Sequence, residues 1–246
     1  MSDLNSLVEK VRQVILQEGG GTPAGELEIS RTSVSDAREH GERVMKSFGR
    51  DLDEEIPKFD KNYRTAQSIA NTGRTKRKNM PVISSSDIRE FQRRLKSGYI
   101  DVAEPFRPSH QSNPFPEGLK GREAKEWLES GLPKYDGDLD DDKVTIKLES
   151  VKVSNLKPIQ KQIYFDESMR TIGKNGAEKT KSFLSSKSIL ICSSDLYIID
   201  GHHRFLSGML VDPSIKAQVL MIDLPIATLL PMAISYGDAI GNKRNL

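Results

Sequence analysis

The chain has 246 residues, 36% of them hydrophobic and 29% charged, and its 37 Lys and Arg nearly balance its 35 Asp and Glu. Overall charge therefore predicts no partner, and any electrostatic argument has to be local. Cys192 is the only cysteine, which excludes an internal disulfide and metal sites with several cysteine ligands. No run approaches the roughly 18 apolar residues of a membrane span, and Asp3, Glu9 and Lys10 do not fit a signal peptide, so we expect a cytoplasmic protein without a membrane partner.

A short amphipathic helix is predicted at the N-terminus. Ser2 or Asp3 can cap it and the glycines from Gly19 end it, while apolar residues recur at helical spacing: Leu4, Leu7, Val8, Val11, Val14 and Ile15. Because so short a helix is marginal alone in water, it should pack on another surface. Packing within the subunit and self-association into a homo-oligomer both remain open.

The next segments predict a helical arm with a basic region. Helical patterns run from Ser35 to Phe48 and from Asp51 to about Asn71, and their few apolar residues predict loose packing. Residues 61–96 hold ten basic and two acidic residues. Within them the run 74–78 lies between Gly73 and Pro81, which predicts an exposed loop that can reach phosphates.

A third helix is predicted from Asp87 to Lys96, with Ser86 as its cap. The arginines of this helix lie away from its apolar face. Two of them, together with the basic residues of the loop 74–78, are candidates for nucleic-acid contact: Arg74, Lys76, Arg77, Lys78, Arg93 and Arg94. An ordinary solvated basic surface is the alternative interpretation.

A proline-rich connection from Glu104 to Gly137 is expected to be extended, with one helix from Gly121 to Ser130. Trp127 in that helix is interpreted as an anchor on the main domain rather than a base-stacking platform. An acidic tract over residues 136–142 does not fit a calcium loop, because Lys147 stands at its twelfth position. We interpret it as a hinge and place a domain boundary near residue 143.

Strand patterns dominate the remaining sequence: Val144 to Leu148, Val151 to Val153, Ile189 to Cys192, Leu196 to Ile199 and Ala217 to Ile222. The short link 193–195 predicts a hairpin, and Cys192 is expected to be a core residue rather than a nucleophile. A helix follows the hairpin and ends at Asp212. A last helix is predicted with Asp223 as its cap, Pro225 in its first turn and a break at Pro231.

The run Asp200-Gly201-His202-His203-Arg204 joins a strand pattern to a helix pattern. A helix N-terminus aims free N–H groups and the positive end of its dipole at one point, and glycine allows a close approach of the backbone. Arg204 can clamp a phosphate, and the two histidines can donate to it or move a proton. Asp200 can orient a histidine, act as a base or bind Mg²⁺ through water. The run therefore predicts a phosphate site.

Residues from about Val151 to Ile226 resemble the ParB/sulfiredoxin superfamily, which includes chromosome-partition proteins, sulfiredoxin and free-serine kinases. Ile198-Ile199 followed by the run 200–204 is the most specific part of the resemblance, and Leu156-Lys157-Pro158-Ile159-Gln160 resembles the superfamily's first motif. The resemblance implies a small mixed α/β domain, which the boundary near residue 143 places at residues 143–246. With the mainly helical, partly extended arm predicted for residues 1–142, the chain is expected to be α+β.

The resemblance also implies ATP or CTP as the nucleotide, with Mg²⁺. It implies contacts to the nucleotide or its phosphates from six residues: Lys157, Pro158, Gln160, Gly201, His203 and Arg204. Asp200, His202 and His203 would lie nearest to the chemistry, with Asp200 as the metal ligand.

Two positions depart from relatives in the superfamily. Gln160 stands where the serine kinases have a glutamate, and an amide cannot act as a base, so a kinase would need Asp200, Asp166 or Glu167. Histidine replaces the reactive cysteine of sulfiredoxin, so we do not expect repair of sulfinic acid.

Three hypotheses follow for the function. The first is a nucleotide-binding, Mg²⁺-dependent enzyme of phosphoryl transfer or nucleoside-triphosphate hydrolysis that the basic arm places on nucleic acid. The second is a ParB-like DNA-binding protein or nuclease. The third is a non-catalytic accessory protein that uses the domain as a scaffold for assembly.

Overall fold

The structure is a computed structural model that describes residues 27–84, 86–102, 117–130 and 139–244. Within these residues, nine α-helices and one five-stranded mixed sheet form a mixed α+β fold, which confirms the fold class at that level. The predicted N-terminal helix, most of the proline-rich connection and residues 136–138 of the predicted hinge lie outside the described residues. Each helix in the described part is too short or too polar to span a bilayer.

Five helices precede the sheet in sequence: α1 Val34–Ser47, α2 Leu52–Glu55, α3 Phe59–Ala70, α4 Ile88–Ser97 and α5 Gly121–Ser130. A 3₁₀ turn, Arg77–Asn79, lies between α3 and α4. The helix predicted from Asp51 to Asn71 is two helices, with Pro57 in the break between them. The cap predicted for α4 is wrong, because Asp87 occupies the N-cap position and no side chain caps the helix.

The rest of the chain forms the sheet and four more helices. The elements are β1 Ile146–Lys152, β2 Lys157–Pro158, α6 Phe165–Asn175, α7 Ala177–Ser186, β3 Ile189–Ser193, β4 Tyr197–Asp200, α8 His202–Val211, β5 Lys216–Ile222 and α9 Ile226–Ala239. The strand order is β1-β5-β3-β4-β2. Strand β1 pairs antiparallel with β5, as β3 does with β4, whereas β3 with β5 and β2 with β4 are parallel.

The two strands predicted from Val144 to Leu148 and from Val151 to Val153 are the single strand β1, so that prediction is wrong, whereas several others for this half of the chain are confirmed. The hairpin joins β3 to β4, α8 follows it directly, and Cys192 is fully buried with its thiol pKa raised by that burial. The prediction for α9 is wrong in two respects. Its first amide, Ile226 N–H, donates to Asp195 at 2.9 Å rather than to Asp223, and the helix continues through Pro231.

Helices cover both faces of the sheet. Successive side chains of a strand point to opposite sides, so the apolar residues of one strand contribute to both cores. Leu190 and Cys192 of β3 join a core with α1, α3, α6 and α8, while Ile191 joins a second core with α4, α5 and α9. Trp127 is 6% exposed in the second core, which fits its predicted role as an anchor.

The prediction of a loosely packed arm is wrong. Met45 on α1 and Phe59 and Tyr63 on α3 are fully buried in the first core. Tyr63 and Phe165 of α6 meet edge to face, with ring centroids 5.4 Å apart. A few large aromatic residues bury enough surface to fix these helices, although their apolar content is low.

Candidate functional site

The turn between β4 and α8 requires a glycine. Gly201 has φ +100° and ψ +25°, and a Cβ atom there would lie 2.4 Å from Leu190 Cδ2. Phe205 N–H donates to the Gly201 carbonyl at 2.8 Å, so the helix begins at once, and no side chain caps it. The first amides of α8 have no acceptor within the helix, which gives this end its capacity for an anion.

Arg204 and Asp200 form an ion pair across this turn, with Nη2 2.5 Å from Oδ2. Arg204 Nη1 also donates to Ser188 Oγ at 3.2 Å and to the Ile189 carbonyl at 2.8 Å. Burial raises the pKa of the Asp200 carboxyl, and Arg204 partly offsets that effect. The guanidinium predicted to clamp a phosphate thus ties α8 to β3 and β4.

His202, which we expected near the chemistry, is 5% exposed. Its Nε2 accepts from Gln160 N–H at 3.2 Å, and the ring also hydrogen-bonds the Ile198 backbone. Burial lowers the pKa of His202 to about 3, with the charges of His203 and Arg204 adding to the effect. Both ring nitrogens are therefore occupied, and the side chain joins the first motif to β4 as a neutral imidazole.

Burial of neutral His202 predicts sensitivity to acid. An unfolded histidine has a pKa near 6.5, so the unfolded chain takes up a proton that the folded protein excludes as the pH falls from about 6.5 towards 3. Stability is full above that window, and His202 should remove about 2 kcal/mol of it by pH 5. His202→Gln, whose amide can serve the same two partners, should reduce the loss measured by urea unfolding at pH 7 and pH 5. An equal loss in both proteins would contradict the assignment.

His203 has a different environment from His202. Its Nδ1 lies 2.8 Å from Glu167 Oε2, so Nδ1 carries the proton, and Nε2 accepts from Tyr164 N–H at 3.4 Å. Burial and the charge of Arg77 lower the pKa of His203, while Glu167 raises it. With 27% of its side chain exposed, His203 can be approached from solvent, and a ligand that used Nε2 would take the place of the Tyr164 amide.

Arg77 reaches this histidine from the 3₁₀ turn. Its Nη1 lies 3.5 Å from His203 Nε2, and its guanidinium lies 4.8 Å from the centroid of the Tyr164 ring. Arg77 N–H donates to Gln162 Oε1 at 2.9 Å, which fixes the start of the turn. Among the described residues, no carboxylate lies within ion-pair distance of this guanidinium.

The basic run 74–78 lies against the first motif rather than projecting as a free loop. The amides of Arg74 and Thr75 both donate to the Ile159 carbonyl at 2.9 Å, and Lys161 N–H donates to the Thr75 carbonyl at 2.8 Å. Thr75 pairs with Gln160 as a parallel β-bridge. Gly73 permits this approach, because a Cβ atom there would lie 2.4 Å from the Gln160 carbonyl oxygen. Thr75 is buried, so the prediction of a fully exposed loop is corrected.

The three residues of the first motif that were expected to contact the nucleotide have different environments in the structure. Gln160 is buried beside His202, and its side chain donates to the Gln162 carbonyl. Pro158 is buried in β2 opposite Ile198. Lys157 lies three residues before Gln160, and its Nζ donates to the Asp195 carbonyl at 3.3 Å.

The remaining candidate residues have different environments. Lys76 and Lys78 are exposed beside Arg77, whereas Arg93 and Arg94 both pair with Glu90 of their own helix. Asp166, an alternative base in the sequence, is 1% exposed. It contacts His40 Nε2 at 2.6 Å and Arg170 Nη2 at 2.9 Å, so it joins α6 to α1 outside the turn.

The contacts of two residues could not be predicted from the spacing of residues in the sequence. Tyr164, which contacts both Arg77 and His203, follows the first motif and has a half-exposed side chain. His40 is a single histidine in α1, and nothing in its local sequence indicates its partner.

The described side chains do not build a magnesium site. Among the described residues, no group of three or more histidine, cysteine or carboxylate side chains could hold a metal ion, and Asp200 faces Arg204. Mg²⁺ in proteins is often held by one or two carboxylates, waters and substrate phosphates. Any Mg²⁺ here would therefore depend on the phosphates of a ligand.

Comparison of the chain with protein-family models, curated proteins and solved structures finds no match. The class of protein therefore has to be argued from the residues of the site.

Proposed function

We propose that the protein is a nucleotide-binding protein of the ParB/sulfiredoxin-like class, which holds phosphates at the N-terminus of α8. Support comes from the resemblance of the run 200–204 and from the turn itself, where β4 delivers a left-handed Gly201 into a helix without a side-chain cap. ATP and CTP are the nucleotides that the resemblance implies.

The observation that carries this proposal is the cluster of His203, Glu167 and Arg77 at the start of α8. Arg77 is a half-buried cation without a carboxylate partner among the described residues, and its Nη1 lies 3.5 Å from the acceptor nitrogen of His203. A phosphate placed there would receive N–H groups from both the guanidinium and the first turn of the helix. Arg77 therefore replaces Arg204 as the arginine that we expect to bind the phosphate.

The same cluster supports phosphoryl transfer or hydrolysis. His203 Nε2 would accept the proton of an attacking hydroxyl or water, and Glu167 would stabilise the resulting imidazolium through Nδ1–H. Arg77 would offset the negative charge of the transferred phosphoryl group. The attacking oxygen would form a bond to the γ-phosphorus as the bond from that phosphorus to the bridging oxygen breaks, and the nucleoside diphosphate would leave as its anion. The proton taken up by His203 would then pass to solvent. Mg²⁺, when bound through the phosphates, would supply further neutralisation of their charge.

Nucleotide binding is tested most directly by calorimetric titration of the four nucleoside triphosphates, with Mg²⁺ and with a chelator. The protein should bind at least one of them, and Arg77→Gln should weaken the affinity about ten- to a hundredfold, as expected for a lost charge-assisted hydrogen bond. Arg89→Gln, which removes the same charge from an exposed position on α4, should bind as the unaltered protein does.

Thermal melts without ligand check that both variants are folded. Failure of the unaltered protein to bind any triphosphate, or equal affinities for Arg77→Gln and Arg89→Gln, would reject this site.

A further inference from the structure

A group of basic residues lies beside the proposed phosphate site, next to β2, which is an edge strand of the sheet. We call it the basic edge and define it as Lys76, Arg77, Lys78 and Lys161. Lys161 N–H donates to the Thr75 carbonyl at 2.8 Å beside the bridge between Thr75 and Gln160. Because Lys76 follows Thr75 directly, the backbones of Lys76 and Lys161 lie next to each other.

The basic edge concentrates charge in a chain that is nearly neutral overall. Residues 71–84 contain four basic residues and no acidic one, and residues 156–165 contain two basic residues and no acidic one. Like charges that lie close together repel one another. A bound polyanion would relieve that repulsion.

None of the surrounding carboxylates in the described part of the chain forms an ion pair with the basic edge: Asp200 pairs with Arg204 and Glu117 with Lys120, while Glu167 accepts the hydrogen bond of His203 Nδ1–H. Among the described residues, Lys76, Lys78 and Lys161 form no ion pair, and all three are exposed. Their charges are therefore exposed to solvent next to Arg77, which contacts His203 in the first turn of α8.

We propose that the basic edge binds the phosphate backbone of a single-stranded nucleic acid and that the phosphate site next to it acts on, or senses, that strand. Exposed cations from two adjacent short segments can follow a single phosphate backbone, with Arg77 as the link between them and the phosphate site. The inference extends the proposed function by naming its substrate class, but it depends on different residues, Lys76 and Lys161.

A membrane surface is the other polyanion to consider, and the distribution of apolar side chains argues against it. Surface segments that bind lipid present large apolar residues beside their cations. The exposed large apolar side chains of the described residues lie elsewhere: Phe48, Tyr99, Leu148, Phe183 and Ile189. None of them belongs to either of the two segments that form the basic edge.

Fluorescence anisotropy with a labelled oligothymidylate provides the test. The protein should bind the single strand more tightly than a duplex of the same length, and its affinity should fall as salt is raised. Lys76→Gln/Lys161→Gln should weaken binding about tenfold at low salt and lower the slope against log salt by about 1.4, since each phosphate contact on a single strand contributes about 0.7.

Lys147→Gln/Lys152→Gln is the matched control, because it removes two exposed lysines from β1 at the opposite edge of the sheet. It should bind the oligonucleotide like the unaltered protein. Absence of oligonucleotide binding, or equal losses in the two double variants, would overturn the inference. Binding to vesicles of anionic lipid that depends on Lys76 and Lys161, without binding to the oligonucleotide, would overturn it in favour of a membrane.

The same variants separate this inference from the proposed function. Lys76→Gln/Lys161→Gln should bind a nucleoside triphosphate within about twofold of the unaltered protein, because its phosphates would sit at Arg77 and α8. Triphosphate binding without oligonucleotide binding would leave the proposed function intact and reject the basic edge. If the protein binds the oligonucleotide through Lys76 and Lys161 but binds no triphosphate, the basic edge is supported and the proposed function is rejected.

Discussion

Replacing His40 with leucine is expected to lower the free energy of unfolding by about 3–5 kcal/mol, because the buried Asp166 carboxylate then loses its closest partner. His40 Nε2 lies 2.6 Å from Asp166 Oδ1, and the Asp166 side chain is 1% exposed. Arg170, the other partner, is 55% exposed and cannot compensate fully from solvent. Urea unfolding followed by circular dichroism measures the loss.

A double variant separates a buried charge from simple packing. In His40→Leu/Asp166→Leu both polar groups are replaced by apolar ones, so its stability should lie closer to that of the unaltered protein than His40→Leu does. Glu39→Ala, on the same helix, removes an exposed ion pair with Arg43 and should change stability by less than about 1 kcal/mol. Additive losses in the double variant would show that His40 and Asp166 do not depend on each other.

This contact also bears on the site. Asp166 and Glu167 are neighbours in the first turn of α6, where carboxylates are favoured by the helix dipole. Asp166 faces α1 while Glu167 faces His203 of α8. The same turn therefore positions the carboxylate of the proposed base and secures α6 to the helices that precede the sheet.

Local patterns predicted the elements of the chain better than their packing. The boundaries of α1, α5, α8 and the β3–β4 hairpin follow from spacing, turn residues and caps, which are properties of neighbouring positions. The burial of α3 does not, because Phe59 and Tyr63 are buried by partners such as Phe165, about a hundred positions later in the chain.

The candidate site shows the same division. Strand, glycine and helix start are consecutive, so the turn at Gly201 could be predicted from the sequence. The link between Arg77 and His203 spans 126 positions, as does that between His40 and Asp166, and no local pattern carries such information. The side chains of His202 and His203 are identical in the sequence, and only the fold separates a buried structural imidazole from a half-exposed one.

Replacing His203 with glutamine is expected to reduce the rate of nucleoside-triphosphate hydrolysis by about a hundred- to ten-thousandfold, the usual contribution of a positioned general base. Glutamine can keep a hydrogen bond to Glu167 but cannot accept a proton at neutral pH. Release of inorganic phosphate at saturating nucleotide measures the effect. Nucleotide affinity should change far less, because Arg77 and the first turn of α8 remain.

Glu167→Gln tests the role of His203 more specifically than a lower rate does, because it should shift the pH dependence of the hydrolysis rate. Glu167 raises the pKa of His203 against the opposing effects of burial and Arg77. Without that carboxylate the pKa falls further, so the acid limb of the rate profile should shift to lower pH while the maximal rate decreases. Glu178→Gln, an exposed carboxylate on α7, should leave the profile unchanged. An unshifted acid limb in Glu167→Gln would mean that His203 does not supply the base, because its titration is the one step of the proposed mechanism that this carboxylate controls directly.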